Sequence, residues 1–95
     1  MRETFGRDAL IFYGGRASRG NARQDWKAVY IGMAEDTIHI WAVLNRPPDE
    51  DDYEALNEIH GVVSSDLYPD QEAVSGFATE EPHDPPTVEY YRCWP

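Results

Sequence analysis

The sequence predicts an α+β fold: a small antiparallel sheet of four to five strands with one amphipathic helix packed on a face, in the order β-β-β-α-β-β. Three observations carry that expectation. Residues 37–44, behind Glu35-Asp36, place Ile38, Ile40, Ala42 and Leu44 at every second position, with Thr37 and His39 between them at the start, the period of a strand following a turn. Tyr53, Leu56, Ile59, Val63 and Leu67 recur in steps of three and four, the stripe of a helix lying on a core. A length of 95 residues, 41% hydrophobic and 13% aromatic, suits a single compact domain over 1–95 and leaves no room for a second core.

The elements follow in order. Asp8 to Tyr13 is a short apolar and aromatic run ending at Gly14-Gly15, which predicts a first strand stopped by a turn. Residues 14–23 are small and basic without periodicity and read as a loop. Residues 26–33 predict a second strand and complete a hairpin over 27–44. In it Ile38, Ile40, Ala42 and Leu44 share one face, and Thr37, His39, Trp41 and Val43 the other. Pro47-Pro48 ends the hairpin and pre-sets a helix start. The helix over 49–66 takes Asp49 as its N-cap, with acids in the first turn where the macrodipole favours them. Gly61 weakens that helix by about 1 kcal/mol relative to Ala, and is expected to mark close packing on the sheet. Pro69 ends it. Residues 71–79 fit a strand or a short helix, with Ser75-Gly76 favouring the strand. Pro82, Pro85 and Pro86 make 80–86 a loop. Residues 87–94 alternate and read as the closing strand, in which Tyr90 and Tyr91 must point to opposite faces.

Charge is the strongest functional signal. The formal net charge is −10, and it is unevenly placed: residues 1–47 hold seven Arg/Lys against five Asp/Glu, whereas 48–95 hold Arg92 alone against thirteen acids. Asp49, Glu50, Asp51, Asp52, Glu54 and Glu58 exceed what capping and the macrodipole need. Exposed carboxylates about 6 Å apart in water repel by about 0.7 kcal/mol per pair, so the surplus points to a solubilising face or to a partner. Tyr53 and Tyr68 flank this helix as candidate interface anchors. Glu80, Glu81 and Asp84, with Asp66, Asp70 and Glu72 upstream, extend the negative surface. The expected partner is a basic, nucleic-acid-binding protein. Rows of carboxylates would imitate a phosphate backbone and compete for its Lys/Arg groove, with no direct DNA binding by this chain. Arg16, Arg19 and Arg23 offer a possible second contact, with phosphate, with RNA or with the acidic face of another copy, so a homo-oligomer is possible.

Other chemistries find little support. A lone Cys93 makes neither an internal disulfide nor a thiolate zinc site, and is expected to be a buried, inert thiol. His39, His60 and His83 stand apart from one another, with His60 expected to pack beside the helix stripe. Consecutive helical acids point about 100° apart and do not converge on one cation. The glycine-rich segment matches neither a P-loop nor a dinucleotide fingerprint, and no serine sits in a nucleophile elbow. The longest apolar runs, Ala9 to Tyr13 and Ile40 to Leu44, fall far short of a roughly 20-residue span, and the start lacks a signal-peptide stretch. The expectations are therefore a cytoplasmic location, no membrane, no metal, no cofactor and no catalytic residue. The functional expectation is a non-enzymatic acidic binding or inhibitor protein, similar in size and charge to bacterial immunity proteins, antitoxins and phage-encoded inhibitors as a class. The alternatives are a small enzyme or ligand-binding domain using the open sheet face, or an assembly subunit pairing through its basic loop.

Overall fold

The apolar run of 28–34, with Val29, Tyr30 and Ile31 at its heart, and the run of 37–43 form the centre of the structure. In the computed structural model, which describes residues 6–65, 67, 71–80 and 90–95, they are strands β1 (Ala28–Ala34) and β2 (Thr37–Val43). They pair antiparallel from Ala28↔Val43 to Ala34↔Thr37. The two residues between them make a tight turn in which Glu35 takes a left-handed φ of 56°.

Two further strands flank the hairpin. β3 (Glu72–Ala78) runs parallel to β2, and β4 (Tyr90–Trp94) runs antiparallel to β1. The strand order is β3-β2-β1-β4. The predicted all-antiparallel pairing is thus corrected at one ladder. A helix, α2 (Glu50–Ser64), connects β2 to β3, and a crossover of that length returns the chain in the same direction. The α+β class holds, and residues 72–78 are strand rather than short helix.

The first predicted strand is a helix. α1 spans Arg7–Ser18 and includes Gly14 and Gly15, so the expected turn and basic loop begin only after Ser18. Its buried residues are Leu10, Gly14, Ala17 and Ser18, a helical spacing made mostly of small side chains. The reason is contact with the sheet: a Cβ on Gly14 would lie 2.7 Å from Cys93 Sγ and 3.2 Å from Ile31 Cδ1. Glycine there admits the strand at a propensity cost of about 1 kcal/mol. Asn21 Nδ2 donates to the Ala17 carbonyl at 2.8 Å and covers the helix end.

Both helices lie on one side of the sheet. Val29, Ile31, Ile38, Ile40 and Ala42 meet Leu10, Ala17, Leu56, Ile59 and Val63 in one continuous core, each large side chain contributing about 1.5–3 kcal/mol by burial. Ala28, Tyr30 and Val43 face the other way with Tyr90, whereas Tyr91 packs on the helix side. The two tyrosines therefore divide as alternation requires. Gly61 differs from expectation. It is exposed and has nothing within 4 Å of its missing Cβ, so it mediates no packing on the sheet.

Candidate functional site

Helix α2 begins with a reciprocal cap. The Asp49 side chain accepts from the Asp52 N–H at 2.9 Å, and the Asp52 side chain accepts from the Asp49 N–H at 2.8 Å. This is the capping-box geometry with aspartate at both ends.

Asp52 then does far more than cap. Its side chain has no exposed surface, and five donors converge on it. Arg46 approaches through both Nη1 and Nη2, the latter at 3.0 Å; Arg23 Nη1 lies at 2.8 Å, Trp26 Nε1 at 2.9 Å, and the Asp49 amide completes the set. Arg46 also holds Asp25 at 2.8 Å, and Arg23 holds Asp49 at 2.8 Å. A carboxylate so surrounded satisfies the requirement that buried charge be paired and hydrogen-bonded. The Arg46 hydrogen bonds foremost, then those of Trp26, the Asp49 amide and Arg23, hold Asp52 well below the ordinary carboxylate range against the opposing effect of burial. The same contacts raise Arg46 above its ordinary value.

The cluster expected to face a partner as one surface therefore divides. Asp52 is withdrawn from it, and Arg23 is taken from the basic second contact to serve this internal hub. Glu50, Asp51, Glu54 and Glu58 stay exposed. They lie on adjacent outward positions of α2, and no described residue forms an ion pair with any of them. Tyr53 is 56% exposed, its ring edge-on to Phe77 at 5.1 Å. Asp49 keeps half of its side chain in solvent while bound to Arg23.

The remaining expected site residues scatter. Arg16 belongs to α1, its guanidinium 6.0 Å from the ring centres of both Phe12 and Tyr13, and Arg19 is exposed just past the helix end. Glu80 is exposed at the end of β3, where it lines a shallow groove with Lys27, Tyr30 and Arg92 on the sheet face opposite α2. It does not extend the helix strip. Tyr68, Glu81, Asp84, Asp66, Asp70 and His83 lie outside the described residues.

Burial pushes the Cys93 thiol up to about 11, which keeps it protonated and unreactive at neutral pH. His60 Nδ1 sits 2.9 Å from Ser75 Oγ, tying α2 to β3. Among the described residues no group of three His, Cys, Asp or Glu side chains is placed to hold a metal ion, and no helix is long and apolar enough to cross a membrane. Among the described residues that line the cleft at Leu44, Arg46, Pro48, Phe77 and Thr79, Arg46 is the one ionisable side chain, and it is bound to Asp25 and Asp52.

Sequence reasoning missed the hub of Arg23, Asp25, Trp26, Arg46 and Asp52. A signal was present: carrying the stripe of Val63, Ile59 and Leu56 one turn back lands on Asp52, at the same spacing, and Asp49-x-x-Asp52 is a capping pattern. No family model, curated protein or solved structure matches the chain.

Proposed function

We propose that the chain is a non-enzymatic acidic binding protein that lays the outward strip of α2 on a basic surface, that of a nucleic-acid-binding protein. It would act as an inhibitor in the manner of immunity proteins, antitoxins or phage-encoded inhibitors. The observation that carries this reading is the division of the acidic cluster. The carboxylates that start and anchor the helix are bound by arginines, while Glu50, Asp51, Glu54 and Glu58 stay exposed on one face with no ion-pair partner among the described residues. Their mutual repulsion is a cost that helix formation does not require, and a cationic partner would remove it. The anchored helix start presents the strip with little ordering left to do on binding. Tyr53, exposed beside it, supplies an aromatic anchor.

The test is capture from a lysate of the native host by the wild-type chain and by Asp51→Lys/Glu54→Lys/Glu58→Lys. All three positions are exposed, so the variant should keep its far-ultraviolet spectrum. The expected result is a basic protein retained at low salt, released between about 50 and 300 mM salt as phosphate-like contacts titrate, and absent with the variant. Retention of only neutral or acidic proteins, or binding indifferent to salt, would sink the reading. Reversing Asp52 is unsuited to this purpose, because it would break the hub rather than the surface.

A further inference from the structure

We propose that the edge of β3 away from β2 is a self-association surface, on which a second copy of the chain adds its own β3 antiparallel across a two-fold axis at Ser75. Among the described residues β3 is the terminal strand of the sheet. Two bonds bracket its ladder with β2: Glu72 N–H to the Asp36 carbonyl and Leu44 N–H to the Ala78 carbonyl, both 2.9 Å. Residues 72, 74, 76 and 78 therefore turn their backbone groups toward β2. Ala73, Ser75 and Phe77 turn theirs to the open edge, where no described residue bonds them.

Edge strands of soluble proteins are usually guarded by lysine, proline, a bulge or brevity. β3 has none of these. It is seven residues long, pairs with β2 without a register shift, and carries a single charge, Glu72 at its start. An exposed apolar side chain also stands on each side of the edge. Of the three exposed large hydrophobic side chains in the described residues, two lie beside it: Val74 at 42% on the open sheet face, and Tyr53 at 56% in the helix layer against Phe77. The α2 side chains seen against β3 are Tyr53, at Phe77, and His60, at Ser75, and neither belongs to the acidic strip of Glu50, Asp51, Glu54 and Glu58.

The strand is complementary to itself. With Ser75 facing Ser75 of the second copy, Ala73 faces Phe77 and Val74 faces Gly76, large against small. Glu72 faces Ala78 and not another carboxylate. Ala73, Ser75 and Phe77 then form hydrogen-bonded pairs, giving about six backbone bonds in one continuous eight-stranded sheet.

This contact and the acidic docking of α2 respond oppositely to salt. Two chains of net charge −10 repel, so screening strengthens the dimer. Sedimentation velocity over a concentration series reads this directly. The expected result is a monomer–dimer equilibrium tightening about tenfold as ionic strength rises from about 20 to 300 mM, and weakening at least tenfold in Val74→Lys, whose exposed position spares the fold. Ser75→Cys reads the register. Facing residues of a hydrogen-bonded pair lie about 5.5 Å apart, within disulfide reach, so oxidation should link two copies, while Ala73→Cys, facing Phe77, should not. A monomer at every concentration and salt, a dimer that loosens with salt, one unmoved by Val74→Lys, or equal cross-linking by both cysteine variants overturns the proposal.

Discussion

Asp52 and Glu54 are two residues apart in the same helix and carry the same charge, yet their surroundings differ completely. Asp52 has no exposed side-chain surface and is held by Arg46, Arg23, Trp26 and the Asp49 amide. Glu54, with Glu50, Asp51 and Glu58, lies in solvent without a described ion-pair partner. The difference is set by the helical period. Asp52 falls on the buried stripe with Leu56, Ile59 and Val63, and the chain has folded the two arginines and a tryptophan of its otherwise basic half around it. The outer acids fall on the remaining arc. A run of like charges is therefore not one feature: an inner carboxylate joins the two halves of the chain, and an outer set is left available. The comparison breaks if the two sets respond alike to substitution.

The largest difference is expected for Asp52→Asn. Removing the charge leaves two guanidiniums facing a buried amide, and breaking a buried, hydrogen-bonded ion pair costs about 3 kcal/mol. Urea unfolding should show the midpoint falling at unchanged slope. The pH dependence follows with a definite sign. Asp52 is held below its unfolded value, near 4, so its contribution is complete above that value and lost as pH falls from there toward the folded one. In the window below about pH 4, stability should drop by up to 1.4 kcal/mol per pH unit on account of this group. That part of the slope should vanish in Asp52→Asn, measured by urea titrations at several acidic pH values. An unchanged slope would mean that the hub does not hold the carboxylate.

How much of this was legible beforehand depended on where each signal resided. The β1–β2 hairpin was readable because alternation is local and Glu35-Asp36 marks the turn; α2 was readable because its apolar spacing is regular over four turns. α1 was not. Its buried face is Leu10, Gly14, Ala17 and Ser18, small residues that look like a turn until Cys93 and Ile31 are seen against Gly14. That requirement comes from a strand nearly eighty residues away, which no local window contains. The direction of β3 was likewise invisible, since parallel pairing with β2 follows from the path of the crossover. At the site, exposure of Glu50, Asp51, Glu54 and Glu58 was readable from the helical period, but the stripe was carried back from Leu56 to Tyr53, which is exposed, and not to Asp52, which is buried. The acidic run concealed that, because a buried aspartate is improbable unless its partners are known, and Arg23 and Arg46 lie in other segments.

Two intermediate effects of opposite sign sharpen the contrast. Asp49→Ala removes the acceptor for the Asp52 amide and a partner of Arg23, and should cost about 1 kcal/mol, the usual value of an N-cap. Gly61→Ala, on the outward arc with open space around the missing Cβ, should instead stabilise by about 0.5–1 kcal/mol through helix propensity and a stiffer unfolded chain. Thermal unfolding of the two variants beside wild type checks both; a loss in Gly61→Ala would show that the outward face carries packing after all.

The smallest expected effect is the most informative about the surface. Glu54→Gln/Glu58→Gln removes two exposed charges from a helix face where like charges four residues apart repel by a few tenths of a kcal/mol. Stability should therefore stay within about 0.5 kcal/mol of wild type and move upward, with the gain shrinking as salt screens the repulsion. Such a result means that the fold makes no use of these carboxylates and bears a small penalty for keeping them, as expected of a surface whose counter-charge is brought by another molecule. A loss of stability would instead place them in the fold's own electrostatics, alongside Asp52, and remove the distinction on which the docking reading stands.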